Sequence, residues 1–326
     1  MAAALAVVAA VLALAPAARA VSCTSQAQMA ATDRDSIAAA GGRLAVAVVQ
    51  QDFTGLQAAL LPAVNGQWEG MRQVVEASAP LMKGGQAQLR NLYLLDATML
   101  AAVGDAQFFC SNASGSMTVT LNLPALPPGR YAVVLADAAG SPLAGQMGFI
   151  LVWDATGAPG WKLGGLTLRQ GVLEGHDGVW WWSRARELAR QGLPWAAWYC
   201  YEAARSLLVP VDFLSSPNLE KLTTEQAAIK GSPADAFPYT LVDGPRSWRI
   251  NAVRLDPTLR QADLGVSFES TGITDPAAQR TEATAVLSAL LKAKPGLREN
   301  FHGLWAYALK DGKLTPIIEL PMSQIP

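Results

Sequence analysis

Few side chains in this sequence could do chemistry. It contains two histidines, His176 and His302, and three cysteines, Cys23, Cys110 and Cys200. His176 is followed by Asp177, the residue types of a general base and its orienting carboxylate. Neighbours in sequence rarely point at each other, however, and Asp177 stands where the following helix needs an N-cap at its positive end. His302, in Asn300-Phe301-His302-Gly303, falls where a helix should end, and an imidazole there can bond free carbonyls. No nucleophile accompanies either histidine, and no motif marks a catalytic, cofactor or metal site. Tyr93, Asp96, Asp137 and Asp154 are the other polar candidates. The three aspartates sit at the ends of strand-like runs, where turn duty is the ordinary role.

The leader says where the chain goes. Residues 2–18 form a small-apolar stretch, too short and alanine-rich to hold a membrane as a stable helix but of the right length for the centre of a secretory signal. Two kinds of processing fit residues 1–23. Ala18-Arg19-Ala20 is a small-x-small site that would free a soluble chain starting at Val21. Ala20-Val21-Ser22-Cys23 resembles a bacterial lipobox, which would make Cys23 a lipidated N-terminus tethered to the periplasmic side of a membrane. The second accounts for the cysteine and is the expectation adopted. It leaves Cys110 and Cys200 as an even pair, able to form a disulfide in an oxidising compartment or to remain buried thiols.

Composition narrows the partners. The 326 residues carry a net charge of −1, with 25 basic and 26 acidic side chains, and no basic patch or stripe stands out. Nucleic acid is therefore not an expected partner. Some 300 mature residues exceed what one hydrophobic core usually spans, so two or three units are expected.

The elements follow from periodicity. In residues 33–170, Asp33 can cap a helix carrying Ile37, Leu44 and Val48; a second helix carries Phe53, Leu56 and Leu60, and a third Trp68, Met71 and Val75. Met117, Val119, Leu121 and Leu123 then alternate with polar residues, as in a half-buried strand. Further strands are expected at 89–95, 106–110, 131–136, 149–153 and 161–168. Helices before sequential strands make an α+β domain, an antiparallel sheet with helices on one face. Residues 171–230 read as a helical hairpin, 230–238 as a turn-rich linker, and 236–326 as a small α+β unit of order β-β-β-α-β-β closed by a hairpin at Asp311-Gly312.

The order of helices and strands, ending in Phe149-Ile150-Leu151-Val152-Trp153, a Gly-Pro-Gly turn and Trp161-Lys162-Leu163, resembles the NTF2-like fold. That resemblance implies a curved sheet wrapped round a helix to leave a conical pocket, used for catalysis, ligand binding or dimerisation; Tyr93 and Asp96 would line it. In the hairpin, Trp181, Ala185, Leu188, Gly192, Ala197, Tyr201 and Ala204 fall at tetratricopeptide spacing, with Pro210 after them. A single repeat cannot bury its own apolar face and must pack on something else. Five tryptophans lie here, and Trp180, Trp181 and Trp182 span about 200° of helix, so not all can face one core. Either neighbours grip the hairpin on both sides, the reading adopted, or one or two indoles form an exposed binding surface, for which Trp180 and Trp195 are the candidates. Taken whole, the chain resembles bacterial envelope proteins that join a lipidation signal to an NTF2-like domain and a helical hairpin. The resemblance implies a non-enzymatic envelope protein binding a ligand or protein partner, with a homodimer open. The alternative is a periplasmic isomerase or hydrolase acting on a small hydrophobic molecule in the cone.

Overall fold

The continuous apolar run from Tyr131 to Ala136 demands burial on both sides, and the architecture supplies it. The structure, a computed structural model, describes residues 21–326 except 113, 116, 117, 157, 257, 271, 272 and 274; the leader, its Ala18-Arg19-Ala20 site and Met117 lie outside the described residues. Strand β1 (Ser22–Ser25) is followed by helices α1 (Ala31–Gln50), α2 (Phe53–Ala58), α3 (Trp68–Ala77) and α4 (Ala79–Met82). Then come β2 (Gln86–Asp96), β3 (Gly104–Ser111), β4 (Thr118–Leu126), β5 (Arg130–Ala139), β6 (Gln146–Asp154) and β7 (Gly160–Arg169). One antiparallel sheet has the order β1-β2-β5-β6-β7.

The two faces of that sheet feed two cores. On one, Leu92, Val134, Phe149 and Leu151 pack with Ile37, Leu44 and Val48 of α1. Helix and sheet approach so closely that a Cβ on Gly41 would meet Val134 at 2.7 Å. On the other face, Tyr93, Leu95, Tyr131 and Val133 meet Phe108 and Leu121 of the β3–β4 ribbon. Adjacent residues of β5 thus enter different cores. Asp33 does not cap α1, whose N-cap is Ala30; from the first turn it accepts a hydrogen bond from Arg130 at 2.9 Å.

The cysteines pair differently from the expectation. Cys110 is joined to Cys23, 87 residues earlier, rather than to Cys200. The reason is placement: Cys110 lies in the core beneath the ribbon next to β1, whereas Cys200 is fully buried in another core. There burial pushes its thiol pKa up to about 12. A sulfur bonded to Cys110 has no valence left for a lipid thioether, so the two uses of Cys23 exclude each other.

Beyond the short strands β8 (Val172–Leu173) and β9 (His176–Asp177), the hairpin comprises α5 (Gly178–Arg190) and α6 (Pro194–Leu208). Asp177 caps α5, accepting from the Trp180 amide at 2.8 Å. Strand β10 (Leu214–Ser215) returns to pair with β4, and α7 (Pro217–Ala227) packs against α6. The last sheet holds β11 (Tyr239–Asp243), β12 (Arg246–Asp256), β13 (Asp263–Glu269), β14 (Gly303–Lys310) and β15 (Lys313–Pro321) in that order. Helices α8 (Pro276–Ala293) and α9 (Leu297–Asn300) connect β13 to β14, which run parallel; the other pairs are antiparallel. Trp181, Leu188, Trp195 and Tyr199 share a single core with Leu264, Phe268, Val286 and Leu290, so the hairpin is built into the C-terminal unit. Gln146 and Arg169 tie the halves together by donating to the carbonyls of Leu207 and Val209 at 2.8 and 3.0 Å.

A bridge closing a loop this long contributes about 4.5 kcal/mol by the loop-entropy relation. Cys23→Ala is expected to lose about 2–5 kcal/mol in urea unfolding, and wild type in reductant should match it. Non-reducing digestion with mass spectrometry should recover linked peptides containing Cys23 and Cys110; a linkage through Cys200 contradicts the fold.

Candidate functional site

The hairpin tryptophans divide by what packs over them. Trp181 is 2% exposed and its indole N–H donates to the Leu173 carbonyl at 3.1 Å. Trp195, a candidate for exposure, is only 5% exposed: Tyr199, Phe237 and Tyr239 surround it and the Lys294 ammonium lies 4.3 Å over its ring. It is covered because the 230–238 linker and β11 fold back over the start of α6. Trp182 donates to Glu225 at 2.8 Å beneath the Arg186 guanidinium. Arg186 also binds Glu225 and holds its carboxyl below the usual range. Trp180 does reach the surface, 40% exposed, with the His176 ring stacked on it at 3.6 Å and 6°.

That stack stands in a cleft of about 700 Å³ between α5 and the turn leading into β14, and His302 lines the same cleft. Both histidines of the chain therefore meet there. Among the charged side chains of the wall, Arg184 pairs with Glu187 and Arg190 donates to the Arg186 carbonyl. Arg184 donates to Asn300 Oδ1 at 2.8 Å and to Glu187 at 2.9 Å, and Glu174 accepts from the Ala262 amide at 3.0 Å. The Ser183 hydroxyl donates to the Val179 carbonyl at 2.9 Å.

His302 leads from the cleft into a buried polar cluster. Its Nδ1 lies 2.9 Å from Oδ1 of Asp263, which is fully buried. Expected to bond helix-end carbonyls, His302 is instead held by the last sheet: its amide donates to the Ala262 carbonyl and its carbonyl accepts from Met322, both at 2.9 Å. Ligating atoms of Asp263, His302 and Glu319 all lie within 4.8 Å of one another. Oδ2 of Asp263 and Oε1 of Glu319 are buried without a hydrogen-bond partner. Burial and the neighbouring Asp263 carboxylate push the Glu319 pKa up, and His302 draws it back down. A carboxylate beside an imidazole orients the ring, the supporting half of a general-base arrangement.

The first domain holds no comparable site at the residues expected. Tyr93 faces the β3–β4 ribbon, away from α1, in a crevice of about 210 Å³ beside Cys110, where burial raises its phenol pKa. Asp96 accepts from the amide and hydroxyl of Thr98 at 2.9 and 2.6 Å, a turn role that lowers its pKa. Asp154 does the same with Thr156, and Asp137 pairs with Arg90 at 3.3 Å. In this domain α1 packs on one face of the sheet and the β3–β4 ribbon on the other.

Trp195→Ala is expected to cost about 3–5 kcal/mol in chemical denaturation, as emptying a core aromatic site does, while Trp180→Ala should cost less than about 1 kcal/mol. Equal losses would contradict the burial described.

No protein-family model matches this chain, and neither a curated protein nor a solved structure is significantly similar to it.

Proposed function

We propose that this is an exported binding protein whose hairpin cleft takes a small, neutral, polar molecule of saccharide type. The observation that carries the reading is the exposed His176–Trp180 stack inside a cleft of about 700 Å³. A flat aromatic platform suits the apolar face of a sugar ring, and the exposed Glu299 carboxylate in the wall suits its hydroxyls. The wall carries three glutamates and two arginines, a near balance of charge that leaves little net field to select an ion.

Export is supported by the leader and by the Cys23–Cys110 bond, which belongs to oxidising compartments. The same bond favours cleavage after Ala20 and a soluble periplasmic chain over a lipid anchor at Cys23. We read the first domain as an NTF2-like frame that supports the cleft-bearing half. Catalysis on a hydrophobic molecule in its cone is the less supported alternative, since Asp96 and Asp154 serve turns and Tyr93 faces the ribbon.

Isothermal titration against a panel of mono- and oligosaccharides should give saturable binding that Trp180→Ala weakens about tenfold or more, a loss of at least ~1.4 kcal/mol, with the melting temperature nearly unchanged. Absence of saccharide binding, or indifference to Trp180, sinks the reading. An alkaline-phosphatase fusion to the full leader should be active, and detergent phase partition should leave the protein in the aqueous phase; recovery in the detergent phase would restore the lipid anchor.

A further inference from the structure

We propose that Asp263, His302 and Glu319 form a binding site for one divalent transition-metal ion, of Zn²⁺ or Mn²⁺ type, at the inner end of the cleft. Two carboxylates and one imidazole are a donor set such ions accept. Bonds of about 2.1 Å to one ion put the ligand atoms about 3–4 Å from each other. The three candidate atoms already lie within 4.8 Å, so only a small closure is needed.

Three independent observations point to a cation. The first is unmet charge. Asp263 is fully buried with Oδ2 unpartnered, Glu319 Oε1 is buried and unpartnered, and among the described residues neither carboxylate has a Lys or Arg within ion-pair distance. Buried carboxylates ordinarily pair with a cation or coordinate a metal. The second is reserved space. Gly303 lies against the cluster, and a Cβ there would come within 2.9 Å of Asp263 Oδ1 and 3.0 Å of Glu319 Oε1, so any other residue would fill the gap between the ligands. The third is rigidity. Asp263 opens β13, His302 precedes β14 and Glu319 is on β15, three adjacent strands in which Asp263 pairs with Gly303 and Trp305 with Glu319. Ligands on paired strands are held more closely than ligands on loops.

His302 lines the cleft while Asp263 is buried behind it. An ion here would have three protein ligands and open positions on the cleft side, the coordination pattern of metals that also bind a small molecule. The metal site does not depend on the saccharide reading, and its test reads the metal alone.

The test uses mature protein stripped with chelator and desalted, titrated with Zn²⁺ and Mn²⁺ by calorimetry, with metal content measured after dialysis. The expected result is one equivalent per chain and a metal-dependent rise in melting temperature. Asp263 is fully buried and its replacement risks the fold, so His302→Gln and Glu319→Gln carry the comparison, with near-UV circular dichroism checking that each is folded. Each should weaken binding by about 10–100-fold or more, and Gly303→Ala should do the same, whereas Trp180→Ala should leave metal binding unchanged. Lack of saturable binding, binding equally strong in both ligand variants, or preference for Ca²⁺ that survives His302→Gln would each overturn the assignment. Loss of saccharide binding in Trp180→Ala with metal binding intact separates the two proposals.

Discussion

Phe301 sits against Trp181 of α5 and Tyr199 of α6, with ring centroids 6.2 and 6.3 Å away, and this aromatic contact is what the C-terminal half depends on. Each such side chain removed from water contributes about 2–3 kcal/mol, and edge or offset contacts add about 1 kcal/mol more. Through it the hairpin and the last sheet form one core rather than two. The next residue is His302, so the contact that joins the two elements also sets the imidazole at the end of the cleft. Backbone bonds to Ala262 and Met322 then fix its position along β13 and β15. Site and fold are thus held by the same few side chains.

Much of this was legible in the sequence. The hairpin followed from small residues at Ala185 and Ala197 spaced against large ones at Trp181 and Tyr201, and Asp177 declared its cap. The β-β-β-α-β-β order of the last unit could be read from period-2 runs around a helix opened by Asp275-Pro276. Both rest on local signals, turn chemistry and periodicity, that act within a few residues. The cluster was not legible, because Asp263, His302 and Glu319 come from three strands and none lies in a motif. His302 drew notice for the wrong partner. A sharper signal was present at Asp263, a carboxylate opening the otherwise apolar strand Leu264-Gly265-Val266, where a buried charge needs explanation.

Where long-range packing decides, sequence reading failed in the same way twice. Trp195 looked exposable by helical angle alone, yet a linker that carries no periodicity covers it. Tyr131 to Ala136 read as one strand among several, while its unbroken apolarity recorded a sheet covered on both faces. In the first domain both faces of the sheet are covered, whereas the two histidines meet in the gap between hairpin and last sheet.

The short strand β1 carries a consequence of its own. It is four residues long and lies on the outer side of β2, pairing Ser22 to Ser25 with Asp96 to Tyr93. An uncovered sheet edge is a template on which other chains can add strands and aggregate. Hydrogen bonds over four residues are a weak cover. Joining Cys23 to Cys110 fastens that cover to the ribbon beneath, so reducing the bond would bare the β2 edge while leaving both cores intact. The bond therefore holds a strand over the Tyr93–Asp96 end of the β2 edge as well as closing a long loop.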